Sequence, residues 1–99
     1  MKTFFDSIFM DKQALQEEAK NYPIKLEYYK TVTREENLTT KYGIEVVKTE
    51  FINGNVKIES SKLDNLTNNE EEATRILTTL RDGEVTPIAM EYVIEDMFA

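Results

Sequence analysis

The stretch Phe51-Ile52-Asn53-Gly54-Asn55-Val56 constrains this chain more than any other. Asn-Gly between two alternating runs is the preferred two-residue type I′ turn, because both central residues need φ > 0. With Asn53-Gly54 as the turn, Glu50 falls opposite Lys57 and Lys48 opposite Glu59. On the other face Phe51 meets Val56 and Thr49 meets Ile58. Opposite charges on one face and apolar groups on the other agree with a single register, and a slip of one residue would break both patterns. Ile44 and Val46 have the parity of the charged face, so the far end of this strand must be covered, twisted or bulged.

The elements around this hairpin follow from periodicity. Residues 24–33 alternate, with Ile24, Leu26, Tyr28 and Val32 on one face and Lys25, Glu27, Thr31 and Thr33 on the other, which predicts a half-buried strand. Residues 34–41 are polar and read as a loop. Near the start, Met1, Phe4, Phe5, Ile8, Phe9, Leu15 and Ala19 fall on one arc of roughly 140° at helical spacing, with Lys12 and Gln16 interrupting it. That spacing predicts an amphipathic N-terminal helix within residues 1–22, ended by Pro23. Thr67-Asn68-Asn69-Glu70 reads as a capping box. After it Ala73, Ile76, Leu77 and Leu80 recur at helical spacing, and Asp82-Gly83 closes the helix. Thr86-Pro87 starts a second helix, with threonine as N-cap and proline at N1. Val85 and Met90 are placed as a hydrophobic staple, and Met90, Val93, Ile94, Met97 and Phe98 form the buried face.

The expectation is one α+β domain over residues 1–99. Its centre is a three-stranded antiparallel sheet, a meander over 23–63 that includes the Asn-Gly hairpin. The N-terminal helix and two C-terminal helices over 67–98 pack on it, helices on one face being the simplest layered solution.

Charge limits the partners. The net charge is -7. Acids and bases balance through residue 63, so the excess lies in residues 64–99. There Asp64, Glu70, Glu71, Glu72, Asp82, Glu84, Glu91, Glu95 and Asp96 face only Arg75 and Arg81. This argues against direct nucleic-acid binding through this end and for a basic partner, or for no partner and simple solubility. The aromatics of Lys25-Leu26-Glu27-Tyr28-Tyr29-Lys30 read as strand packing rather than as a base-stacking platform. No apolar run approaches the roughly 18 residues that span a bilayer, and Asp6 and Ser7 break the short apolar start that a signal peptide would need.

Little in the chain points to catalysis. It has no cysteine, hence no disulfide or thiolate chemistry, which fits a reducing cytoplasm. It has no histidine, the commonest general base and metal ligand. Ser60 and Ser61 lie outside any G-x-S-x-G turn. Three glycines leave no phosphate-cradling loop. Glu70, Glu71 and Glu72 splay around a helix axis in a first turn, where acids suit the dipole, and they read as a solvated cap rather than a metal site. Neither cofactor nor metal is expected.

Two features break local rules. Glu95 and Asp96 lie in the last turn of the final helix, where each acid costs about 0.3–1 kcal/mol against the dipole, and Glu91 adds a like charge four residues before Glu95. Phe4, Phe5, Ile8 and Phe9 crowd one short segment, suited to capping the sheet or to a partner's groove.

Two stretches, Tyr42-Gly43-Ile44-Glu45-Val46 through the Asn53-Gly54 hairpin and Val85-Thr86-Pro87-Ile88 with Tyr92-Val93-Ile94-Glu95-Asp96-Met97-Phe98, resemble a family of small acidic proteins of unknown function from anaerobic spore-forming, clostridial-type bacteria. The resemblance covers roughly residues 24–98 and makes residues 1–22 an extension. It implies a bacterial cytoplasmic protein and brings no catalytic residue or cofactor.

The expected role is a non-catalytic protein–protein interaction module. Glu91, Glu95 and Asp96 would supply a charged contact, and Phe4, Phe5, Ile8 and Phe9 an apolar one. Homodimerisation is compatible with it. The alternative is an acidic nucleic-acid mimic, of the kind some phages encode, that inhibits a basic nucleic-acid-binding enzyme.

Overall fold

The computed structural model describes residues 1–12, 22–36 and 39–98. Four strands, β1 (Lys2–Lys12), β2 (Tyr22–Arg34), β3 (Thr40–Ile52) and β4 (Asn55–Thr67), precede two helices, α1 (Glu70–Asp82) and α2 (Pro87–Met97). The fold is α+β. The strands form an antiparallel sheet in the order β1-β2-β3-β4, each paired with its sequence neighbour.

The hairpin register is the expected one, with Glu50 opposite Lys57, Lys48 opposite Glu59, Phe51 opposite Val56 and Thr49 opposite Ile58. Asn53 and Gly54 both have positive φ, 52° and 79°, as a type I′ turn requires.

The sheet has four strands rather than three because residues 2–12 form a strand, not a helix. The apolar doublets Phe4-Phe5 and Ile8-Phe9 recur every four residues, which mimics a helical stripe. In the strand they supply both faces. β1 carries a bulge between Phe4 and Asp6, so Phe4 lies opposite Tyr29 and Asp6 opposite Tyr28, with Phe5 as the extra residue. Phe5, Ile8 and Met10 then pack against the core, whereas Phe4 and Phe9 point to the other side and are exposed. The helical expectation for Leu15, Gln16 and Ala19 lies outside the described residues.

Both helices cover one face of the sheet. Ile24, Leu26 and Tyr28 of β2 and Ile44 and Val46 of β3 meet Ile76, Leu77 and Leu80 of α1 and Met90 and Ile94 of α2. Ile44 and Val46 do share the parity of Lys48 and Glu50, and the helices cover their end of the strand. Beyond the helices the same face carries Lys48, Glu50 and Glu59, with Lys48 Nζ 3.0 Å from Glu50 and 3.9 Å from Glu59.

A second irregularity lies between β3 and β4, where Gly43 alone faces Asp64, Asn65 and Leu66, with Asn65 left-handed at φ 57°. A Cβ at Gly43 would overlap the Leu63 carbonyl and the Thr31 hydroxyl, so only glycine allows β3 to approach β4 this closely.

The cap of α1 differs from the Thr67–Glu70 box. Asn69 is the N-cap, and its side chain accepts from the Glu72 N–H at 3.2 Å. Thr67 ends β4, and its hydroxyl accepts from the Asn69 N–H at 3.0 Å. Pro87 opens α2 after Thr86 as expected, although the Thr86 side chain makes no capping bond. Among the described residues no helix is long and apolar enough to cross a membrane.

Candidate functional site

Two surfaces compete for attention, and the sheet separates them. The first is the outer surface of α2. Met90 and Ile94 bury the inner stripe, helped by Val93 and Met97. At 100° per residue this turns Ile88, Glu91, Tyr92, Glu95 and Asp96 outward on an arc of roughly 140°. All five are exposed, Ile88 at 72% and Tyr92 at 73%. Two large apolar groups therefore stand among three acids. No basic residue lies in the last turn, and the helix holds to Met97 with Phe98 as C-cap. The wrong-signed charges thus persist on an intact helix end.

The acids were expected as site residues; Ile88 and Tyr92 were not. Their signal was in the sequence, since positions 88 and 92 are four apart and turned away from Met90 and Ile94.

The second surface is the sheet face opposite the helices. Phe4, Phe9, Phe51, Val56 and Ile58 are all exposed on it. The strand registers make Phe9, Lys25, Thr49 and Ile58 one cross-sheet row, and Phe4, Tyr29, Glu45 and Lys62 another. The charges of this face pair among themselves: Lys2 with Glu45 at 3.2 Å, Lys25 with Glu27 at 3.5 Å, and Lys62 with Asp64 at 3.7 Å. Lys2 also lies over the Tyr29 ring, and Phe4 meets that ring edge-on.

The expected aromatic cluster is therefore split. Phe4 and Phe9 belong to the open face, Phe5 and Ile8 to the core, and neither pair adjoins Glu91, Glu95 and Asp96.

Other polar side chains tie the elements together. Tyr28 is fully buried and donates from its hydroxyl to the Val85 carbonyl at 2.9 Å, tying β2 to the segment between the helices. Burial, with the negative charge of Glu84 second, pushes its phenol up to about 12. Tyr29 donates to Glu27 at 2.8 Å, and that bond raises its phenol as well, with burial adding to it. Asp6 accepts from the Ser7 N–H at 2.8 Å and from Arg81 at 3.1 Å; the backbone bond first, then the guanidinium, hold its carboxyl below the ordinary value. Arg81 also lies over the Phe5 ring, so the β1 bulge docks on the end of α1.

An open cleft of about 290 Å³ lies on the open face where the starts of β1 and β3 meet the ends of β2 and β4. Lys2, Thr31, Glu45, Lys62 and Asp64 line it in two bonded groups, Lys2 with Glu45, and Asp64 with Lys62 and with Thr31, which donates to it at 3.1 Å. Thr31 is buried, and its hydroxyl bond ties β2 to the irregular stretch of β4. Among the described residues no three acids converge as a metal site would need.

A family described as "Family of unknown function (DUF6514)" matches residues 7–99. The match takes in residues 7–12 of β1, so it reaches into the segment expected as an extension. No curated protein and no solved structure matches the chain.

Proposed function

We propose that this chain, which belongs to the DUF6514 family of unknown function, is a small non-catalytic protein–protein interaction module whose contact surface is the outer stripe of α2. The observation that carries the reading is the exposure of Ile88 and Tyr92 among Glu91, Glu95 and Asp96. Large apolar side chains ringed by charge of one sign fit a partner that offers a basic rim around an apolar contact. The charges would speed encounter and select the partner, and the two side chains would anchor it. A bacterial origin and a cytoplasmic setting belong to the same proposal; the lack of cysteine supports the second.

The nucleic-acid mimic would need acids along one continuous surface at phosphate spacing. The pairing of Glu27, Glu45 and Asp64 with lysines on the sheet favours the interaction module instead.

The test is retention of host proteins by the tagged chain and by the triple variant Glu91→Lys, Glu95→Lys, Asp96→Lys, read by mass spectrometry at low and high salt. The expected result is a protein held by the native chain at low salt, weakened by high salt, and lost with the triple variant and with Tyr92→Asp. An identical set of proteins on both columns would remove α2 as the contact.

A further inference from the structure

The open sheet face exposes Phe4, Phe9, Phe51, Val56 and Ile58. We infer that it is closed by a second copy of this chain, in a two-fold dimer whose sheets stack face to face with all four helices turned outward. This goes beyond the α2 reading and does not depend on it.

Three observations support a copy of the same chain. The first is area. Strands of 11–13 residues make a face about 40 Å long and, at four strands, about 19 Å across. That is about 750 Å² in plan, close to the roughly 800 Å² per partner of a standard stable interface. The second is charge. The face is internally paired through Lys2–Glu45, Lys25–Glu27 and Lys62–Asp64, while the molecule carries -7. Two copies meeting here bring neutral surfaces together and keep their acidic helices at opposite ends. Contact through the helices would press like charges together.

The third observation is row-by-row fit. A two-fold axis parallel to the strands lays β1 of one copy over β4 of the other and β2 over β3, the aligned packing typical of sandwiches. Phe9 then meets Ile58 of the second copy, and Lys25 meets Thr49. One row along, Ser7 meets Ser60 and Glu27 meets Val47. In the row after the bulge, Phe4 meets Lys62 and Tyr29 meets Glu45. No row sets like charges opposite each other, and the most exposed apolar groups of β1 and β4 cover one another.

Within one chain Phe9 and Ile58 occupy opposite edges of the sheet, so the arrangement has a specific test. Sedimentation equilibrium of the full chain at micromolar concentration should give twice 11.5 kDa, unchanged or tightened by added salt. Phe9→Lys and Ile58→Glu, each alone, should raise the dissociation constant at least tenfold while circular dichroism stays native. The double variant Phe9→Lys with Ile58→Glu should restore association, because the new charges face each other only across the dimer. Ile88→Asp and Tyr92→Asp should leave the mass unchanged, which separates this interface from the α2 contact. A native chain that sediments at 11.5 kDa throughout, single variants that remain dimeric, or a double variant that stays apart would each overturn the proposal.

Discussion

At the scale of single residues, Tyr28 concentrates the energetics. Among the described residues it is the largest fully buried side chain, and its hydroxyl is satisfied by one carbonyl in the link between α1 and α2. Tyr28→Phe keeps the ring's packing and leaves the Val85 carbonyl without this donor, so it should cost about 1–2 kcal/mol at neutral pH, measured by urea denaturation. The same variant should change the alkaline limb. The folded phenol is raised from 10.0 to about 12. The stabilisation tied to its neutral form is therefore fully present below pH 10 and is lost as pH rises through 12. The gap between native chain and variant should narrow over that window. A gap independent of pH would mean that the phenol titrates normally. Asp6 works in the opposite sense. Its carboxyl is held below the 3.8 of the free group, so its contribution is present above that pH and fades as the pH falls below it.

At the scale of elements, the start of α1 is set by the side chain of Asn69. Asn69→Ala removes the side-chain acceptor of the Glu72 N–H and should cost about 1 kcal/mol. Thr67→Ala, which touches only the Asn69 N–H just before the helix, should cost less. Thermal melts of the two variants rank them, and the reverse order would return the cap to Thr67.

Elements with a local chemical signature were legible in the sequence. The Asn53-Gly54 turn dictated its own register through charge pairs, and Pro87 marked the start of α2. The cap was displaced by two residues because Thr67 and Asn69 both carry an oxygen at capping distance, and the longer reach of β4 decided between them. β1 was illegible for a sharper reason. An apolar doublet every four residues satisfies a helix, and equally a bulged strand with apolar groups on both faces; only the pairing with β2, a tertiary fact, separates the two. The same ambiguity hid the site. The acids of α2 stood out as charge in the wrong place, but the exposure of Phe9, Val56 and Ile58 depends on which face the helices take. That choice is made by Ile44 and Val46, not by residues near the turn.

At the scale of the whole molecule, α2 closes the core from the chain's far end. Removing residues 85–99 takes away Met90 and Ile94 and strips the Val85 carbonyl from Tyr28. The shortened chain should lose its cooperative thermal transition and bind an apolar dye such as ANS. A shortened chain that melts sharply and ignores the dye would show that α1 and the sheet suffice.

The neighbour-to-neighbour strand order also bears on how the protein is made. Every strand pairs with the one synthesised just before it, so the sheet can grow at its newest edge while the ribosome is still working. Its lid, α1 and α2, emerges after all four strands. At about 5–20 residues per second, a finished sheet waits on the order of seconds with its greasy side bare, in the company of other nascent chains. The acidic stretch from residue 64 onward brings its charge only with that lid, so the sheet, whose residues through 63 carry equal numbers of acids and bases, passes the wait without it.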